Sequence, residues 1–346
     1  MPWAPELFST PALANIAERR RREHMRTVPF FDGLMTMEMD ALIGSFAGEP
    51  ELHHPVLGRI KGERAFERFV VETSGWFAER GITAEEVAVI RPPVVGVEEV
   101  LLQLDSDGGR IELPVAIAGE RDSDDRMVEL RLYFSTWPLT GRHANRPPVL
   151  QPDPDADEPD VVGEYQRALA AGDVEGAVAA FEPDGYVREP AGGGHVHRGT
   201  EELRALYRRF FSNGGGIALE HCNVIDDGQA CALEYNVVGW GETEMPPEAG
   251  LAVYVRGESG KLAAALALEI APVRVNLIAA GFVDTPLSAS VLGDRLEERR
   301  EELRAKLPIH RVVGPEDVAA LAVHIMANSA LTGATYDIDG GQQLLS

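Results

Sequence analysis

Apolar and polar residues alternate along two separate stretches of this chain. They predict strands over Glu99–Leu104, Arg110–Ala118 and Met127–Thr136, and again over Ile217–Ile225, Cys231–Gly239 and Leu251–Arg256. Turn signals separate the strands, Asp107-Gly108-Gly109 in the first set and Asp226-Asp227-Gly228 in the second. Ahead of each set the pattern gives a helix, a short hairpin and a second helix. The two stretches are one pattern written twice. Phe46-Ala-Gly-Glu-Pro-Glu-Leu-His-His-Pro55 and Phe181-Glu-Pro-Asp-Gly-Tyr-Val-Arg-Glu-Pro190 align at an offset of 135. Lys61-Gly62 through Phe69 and Arg198-Gly199 through Leu206 align at 137, so the second hairpin is two residues longer. A helix–hairpin–helix followed by an antiparallel meander is an α+β fold, a curved sheet whose concave face is closed by helices.

After the repeat the pattern changes. Ala265-Leu-Ala-Leu-Glu-Ile-Ala-Pro-Val-Arg-Val-Asn276 reads as the end of a helix feeding a buried strand, although alternation from Leu262 to Ile270 also fits a strand. Gly281-Phe-Val-Asp-Thr-Pro286 follows, then a charged helix Gly293–Lys306, Gly314-Pro-Glu-Asp-Val318 opening another helix, and Thr332-Gly-Ala-Thr-Tyr-Asp-Ile-Asp-Gly-Gly341. The organisation is therefore an N-terminal helical arm (1–26), a first cone-shaped module (27–138), an acidic proline-rich linker (139–159), a second cone (160–262) and an α/β tail (263–346).

The duplicated segments resemble the nuclear-transport-factor-2-like superfamily, which includes SnoaL-like polyketide cyclases and ketosteroid isomerases. The tail resembles the C-terminal quarter of the short-chain dehydrogenases. In that family the region matching Gly281–Thr285 lies beside the nicotinamide. The tail lacks that family's glycine-rich phosphate turn and its Tyr-x-x-x-Lys dyad. Gly192-Gly-Gly194 lies in a hairpin, and Tyr254 has Glu258 four residues on. No cofactor is expected. The parallel strands expected at Val273–Ile278 and Thr335–Ile338 need cover on both faces, so they lean on the second cone, pair with another chain or stay poorly ordered; a homo-oligomer built through the tail is the favoured expectation.

Composition narrows the partners. Hydrophobic residues at 45% and charged ones at 25% describe a globular chain. A net charge of −24 argues against a nucleic acid or an anionic membrane as partner. The run Arg19–Arg22 reads as one solvated helix end. The most apolar stretch, Leu262–Val283, is broken by Glu269, Arg274 and Asn276 and is a poor membrane span. Two cysteines, Cys222 and Cys231, and no visible export signal point to the cytoplasm.

The second cone carries the candidate chemistry. Tyr165, Gly172-Asp173, Phe181, Glu189-Pro190, Gly199 and Tyr207 are spaced as in ketosteroid isomerase. That resemblance implies Glu189 as the base, Tyr165 as oxyanion donor and Tyr207 as the residue bonded to it. It also places the family's second donor, a protonated aspartate, at Ala252. The chemistry is coherent: moving a proton beside a carbonyl needs a carboxylate in an apolar pocket, where burial raises its pKa, and a neutral donor facing the enolate oxygen. Taken singly, the two tyrosines fit a core and Glu189 a solvated hairpin. Glu234, Asn236 and Trp240 share a strand face and are candidates for lining the cone. His195 and His197 read as exposed hairpin residues, since no third metal ligand stands at sensible spacing. In the first cone Phe30, His54 and Val70 occupy the positions of Tyr165, Glu189 and Tyr207. There His54 is a candidate base or ligand contact, and Glu129, Arg131 and Tyr133 share a face that could polarise a ligand.

Three functions compete. One is an isomerase or cyclase acting on a small apolar carbonyl compound, steroid-like or polyketide-like. The others are a non-catalytic tandem ligand-binding or assembly protein, and an NAD(P)-dependent oxidoreductase inferred from the tail alone.

Overall fold

A computed structural model of the chain describes residues 29–92, 94–106, 109–142, 144, 146–192, 194–267, 277–327 and 335–342. The expected arm at 1–26 lies outside them, as do residues 268–276 and 328–334 of the tail.

The first module opens with α1 (Pro29–Thr36) and α2 (Met39–Gly44), then the hairpin β1 (Glu51–His54) and β2 (Gly58–Lys61), and α3 (Glu63–Glu79). Four strands follow: β3 (Thr83–Ile90), β4 (Val95–Ser106), β5 (Gly109–Arg121) and β6 (Met127–Tyr133). β3 was not anticipated, because Thr83-Ala-Glu-Glu-Val-Ala-Val-Ile90 is an edge strand whose Glu85 and Glu86 blur the alternation. The sheet order is β2-β1-β6-β5-β4-β3, with β1 and β6 parallel and the other pairs antiparallel.

A short helix, α4 (Trp137–Thr140), precedes the second module. That module has α5 (Asp160–Ala171), α6 (Val174–Ala179), the hairpin β7 (Phe181–Arg188) and β8 (Val196–Arg198), and α7 (Gly199–Phe210). Its long strands are β9 (Ile217–Asp226), β10 (Ala230–Trp240), β11 (Thr243–Arg256) and β12 (Leu262–Ala267). Gly172, at φ 67°, ends α5 in the left-handed region, and the Asp173 side chain caps α6 by accepting from the Gly176 N–H at 3.0 Å. The order β8-β7-β12-β11-β10-β9 repeats that of the first sheet strand for strand.

The domain boundary at 262 needs correction. Leu262–Ala267 is neither helix nor tail; it is the sixth strand, antiparallel to β11 and parallel to β7. Its alternating Leu262, Ala264 and Leu266 are buried between neighbours, which decides the ambiguity in its pattern. The linker is likewise bonded to the second sheet. Asp153 N–H donates to the His221 carbonyl at 2.8 Å, Ala249 N–H to the Arg146 carbonyl at 2.9 Å, and the Glu158 carboxylate contacts the His221 ring.

Each cone has its own core. The first is filled by Phe30, Leu34, Phe66, Phe69, Val70 and Leu102 among others, the second by Tyr165, Leu203, Tyr207, Leu233 and Tyr235. A third cluster joins the modules sheet to sheet, with Val97, Ala116 and Tyr133 from one packed on Ala232, Leu251 and Val253 of the other. Two buried carboxylates mark this interface at repeat-equivalent positions. Glu234 on β10 receives Arg131 of the first module, and Glu99 on β4 receives Arg188 of the second. The carboxylates are equivalent, but the arginines that reach them come from different strands, Arg131 from β6 and Arg188 from β7.

The tail is a separate unit, Val273–Ser346. β13 (Leu277–Ala280) pairs in parallel with β14 (Thr335–Ile338), and α8 (Pro286–Leu292), α9 (Leu296–Lys306) and α10 (Pro315–Ala327) lie between them in sequence. Among the described residues no third strand joins this pair. No helix among them is long and apolar enough to cross a membrane.

Candidate active site

Glu189 directly follows the last residue of β7 and is 3% exposed. Its Oε1 takes two partners, His197 Nε2 at 2.6 Å and Arg209 Nη2 at 2.7 Å. Burial alone would raise the carboxyl's pKa, but the His197 hydrogen bond and the Arg209 charge outweigh it, and the net direction is down. Glu189 is therefore an ionised, buried carboxylate, not the proton-holding one that burial by itself implied. Oε2 makes no hydrogen bond among the described residues.

The carboxylate borders a small cavity, about 40 Å³, walled by Tyr165, Val187, Phe210, Trp240, Ala252 and Tyr254. Tyr165 comes from α5, and its hydroxyl lies 3.0 Å from that of Tyr207 on α7. Burial drives both phenols upward in pKa, so each stays protonated. The expected trio thus converges, Glu189 and Tyr165 on one cavity and Tyr207 behind Tyr165. Ala252 lines the cavity where the resemblance placed a lost donor. Tyr254, two residues along the same strand face, offers a hydroxyl there; it accepts from Gln166 Nε2 at 2.8 Å, which leaves its own hydrogen to give. Sequence reasoning missed this residue, along with His197 and Arg209. The signals were present: Tyr254 shares the face of Ala252, and Arg209 stands two residues beyond Tyr207. His197 was read as an exposed hairpin residue. Its side chain is only 21% exposed and is bonded to Glu189.

Of the strand-face candidates, only Trp240 lines the cavity. Odd residues of β10, Cys231 to Val237, face the cone, so Glu234 and Asn236 point the other way, toward the first module. A bulge between Val237 and Gly239 shifts the register against both neighbouring strands and returns Trp240 to the cone. Glu234 is engaged by Arg131 through Nε at 2.7 Å and Nη2 at 2.8 Å, by Tyr133 OH at 2.7 Å and by Asn223 Nδ2 at 3.1 Å. Asn236 Nδ2 donates to the Leu150 carbonyl at 3.3 Å and so holds the linker.

The first cone carries no such site among the described residues. Phe30 and Val70 are core, and Arg131 and Tyr133 are committed to Glu234 rather than to a ligand. His54 is turned onto its own hairpin. Its Nδ1 accepts the Val56 and Leu57 N–H groups of its own hairpin turn, both at 3.1 Å, and the ring packs edge-on to Phe69 and Phe134. Burial, with Arg146 nearby, lowers its pKa to about 4. Between pH 6.5 and 4 the unfolded chain takes up a proton that folded His54 refuses, so this residue's contribution to stability falls as pH drops, by about 3 kcal/mol over the window. In urea titrations, His54→Gln should therefore lose less stability than wild type from pH 6.5 to pH 4. An equal loss in both proteins would contradict this assignment.

Glu51, His53 and Glu129 bring three potential metal ligands together. Arg59 and Lys61 already hold Glu51, at 2.6 and 2.7 Å, and Arg131 holds Glu129 at 2.8 Å, so three cations occupy the place of an ion. Gly192, the nearest candidate for a phosphate turn, sits at φ 84° with its Cα so close to the first module that a Cβ would fall 2.7 Å from the Glu112 carbonyl oxygen. That turn is packed against protein and not open to a pyrophosphate.

Residues 162–265 match the family described as SnoaL-like domain. The second module is a SnoaL-like domain. An NTF2-like protein from Cytophaga hutchinsonii is similar to the chain at 14% identity, covering 29% of this chain and 88% of its own, with a TM-score of 0.26. Residues 251–343 match the family described as enoyl-(acyl carrier protein) reductase, and the tail is a segment like that of the short-chain dehydrogenases. The short-chain dehydrogenase/reductase malC of Malbranchea aurantiaca is 36% identical over 91 residues, which are 26% of this chain and 34% of malC. A 3beta-hydroxysteroid dehydrogenase of Eggerthella lenta is 40% identical over 89 residues, 25% of this chain and 33% of its own. The chain spans about a third of the length of these curated relatives. The SnoaL-like and dehydrogenase-like matches overlap at 251–265, where the structure has the end of β11 and the start of β12.

Proposed function

We propose that the SnoaL-like domain is a proton-transfer enzyme of isomerase or cyclase type, acting on a small apolar carbonyl compound without a cofactor. The observation that carries this reading is an ionised carboxylate and two tyrosine hydroxyls on one apolar cavity. Glu189 Oε2 takes the proton from the carbon beside the carbonyl. The enolate oxygen accepts hydrogen bonds from Tyr165, whose hydroxyl is free to give when Tyr207 donates to it, and from Tyr254 in place of the donor missing at Ala252. Returning the proton at the vinylogous carbon completes an isomerisation. His197 and Arg209 hold the carboxylate in one place and keep it charged until it accepts the proton. The test uses allyl methyl ketone, whose conjugated isomer absorbs in the ultraviolet. The protein alone should produce that absorbance faster than a carboxylate buffer at the same pH; an unchanged rate would overturn the reading.

The tail is proposed as an assembly element. Supporting this, β13 and β14 form a two-stranded parallel pair, and parallel strands rarely persist without cover on both faces. Ending the chain after residue 270 should lower the mass measured by light scattering while ligand binding to the second module survives. Unaltered assembly would count against this role.

A further inference from the structure

The cavity is far smaller than its candidate ligands. At about 40 Å³ it is much smaller than a cavity of roughly 150 Å³ that binds benzene. Trp240 is the bulkiest side chain in its wall. Trp240 reaches the cone only because the bulge between Val237 and Gly239 turns the end of β10 over. Its indole is then fixed from two directions. Nε1 donates to the Phe210 carbonyl at 2.6 Å, and the ring stands edge-on to Phe210 at 5.4 Å between centroids. Phe210 is the last residue of α7, next to the Arg209 that holds Glu189. A bulge, a hydrogen bond and an aromatic pair thus place a large ring against the space beside the carboxylate.

We propose that Trp240 is the size filter of this pocket, limiting it to acyclic carbonyl groups and excluding rings. This rests on the proton-transfer reading and narrows it. The substrate class becomes short-chain ketones, or the carbonyl end of a linear chain such as an unfolded polyketide segment, and steroid-like substrates are excluded. The filter works by sterics alone, so it is visible in binding whether or not turnover occurs.

The test compares acetone with cyclohexanone by ligand-observed NMR on the full chain, using wild type, Trp240→Phe and Trp240→Ala. Wild type should bind acetone in preference to the ring. Trp240→Ala should shift the Kd ratio toward cyclohexanone by at least tenfold, with Trp240→Phe between, and Trp240→Phe keeps the proposal testable if the alanine variant collapses. A ratio unchanged across the three proteins, or wild type binding the ring as well as acetone, would overturn the filter. A shifted ratio without isomerisation of allyl methyl ketone would uphold the filter and sink the proton-transfer reading. Isomerisation with an unshifted ratio would do the reverse.

Discussion

Replacing Arg131 with Met should cost the two-cone unit about 3–5 kcal/mol, a fall in melting temperature on the order of 10 °C. Arg131 is 1% exposed and supplies the only formal positive charge within hydrogen-bonding reach of Glu234 among the described residues. Burial favours a neutral Glu234, yet the Arg131 charge and bonds, with Tyr133 and Asn223, hold its pKa below the ordinary value. Without the guanidinium, a carboxylate remains between two sheets with only two neutral donors. Glu234 would then take up a proton, so the defect should be worst near neutral pH and shrink as the solution is acidified. Wild type behaves oppositely here: its lowered carboxyl pKa contributes stability that is lost on acidification. The double variant Arg131→Met, Glu234→Leu should recover most of the loss, since no buried charge is left unpaired. Urea unfolding of the three proteins at two pH values checks this. A single variant as stable as wild type would mean that the ion pair does not hold the modules together.

Much of this architecture was legible in the residues. The offset of 135 to 137 marked two copies of one helix–hairpin–helix, and both modules have one strand order. The strand sets themselves were matched one strand out of step, because Thr83–Ile90 was missed in the first copy. The site trio was legible because Tyr165, Glu189 and Tyr207 sit on three elements whose spacing is fixed by the fold. What failed were questions of phase and partnership. Glu234, Asn236 and Trp240 look equivalent in an alternating pattern, and a single extra residue in β10 divides them between two faces. His197 and Arg209 carry no local signal of their task, which exists only once β8 and α7 meet at the end of β7. His54 occupies the right position in the first copy, yet its ring is turned onto the hairpin by two backbone N–H groups. The edge strand β3 and the last strand β12 were obscured in different ways, one by paired glutamates and the other by a run of alanines that suits a helix equally.

The central claim is that Glu189 is the base, and substituting it separates chemistry from binding. Glu189→Gln keeps the size and the hydrogen-bonding capacity toward His197 and Arg209, but it cannot accept a proton at neutral pH. Isomerisation of allyl methyl ketone should fall by at least about a thousandfold, in keeping with the loss of an essential proton acceptor. Acetone binding should change by less than about threefold, because glutamine keeps the size of the side chain at the cavity wall. The wild-type rate should hold down to a lower pH than an ordinary glutamate permits, since His197 and Arg209 depress the carboxyl's pKa. The decisive measurement is the initial rate of conjugated-enone formation by wild type and Glu189→Gln at equal, saturating ketone. The account predicts a rate at the buffer background for the variant, with binding intact; a variant that isomerises within tenfold of wild type would contradict it.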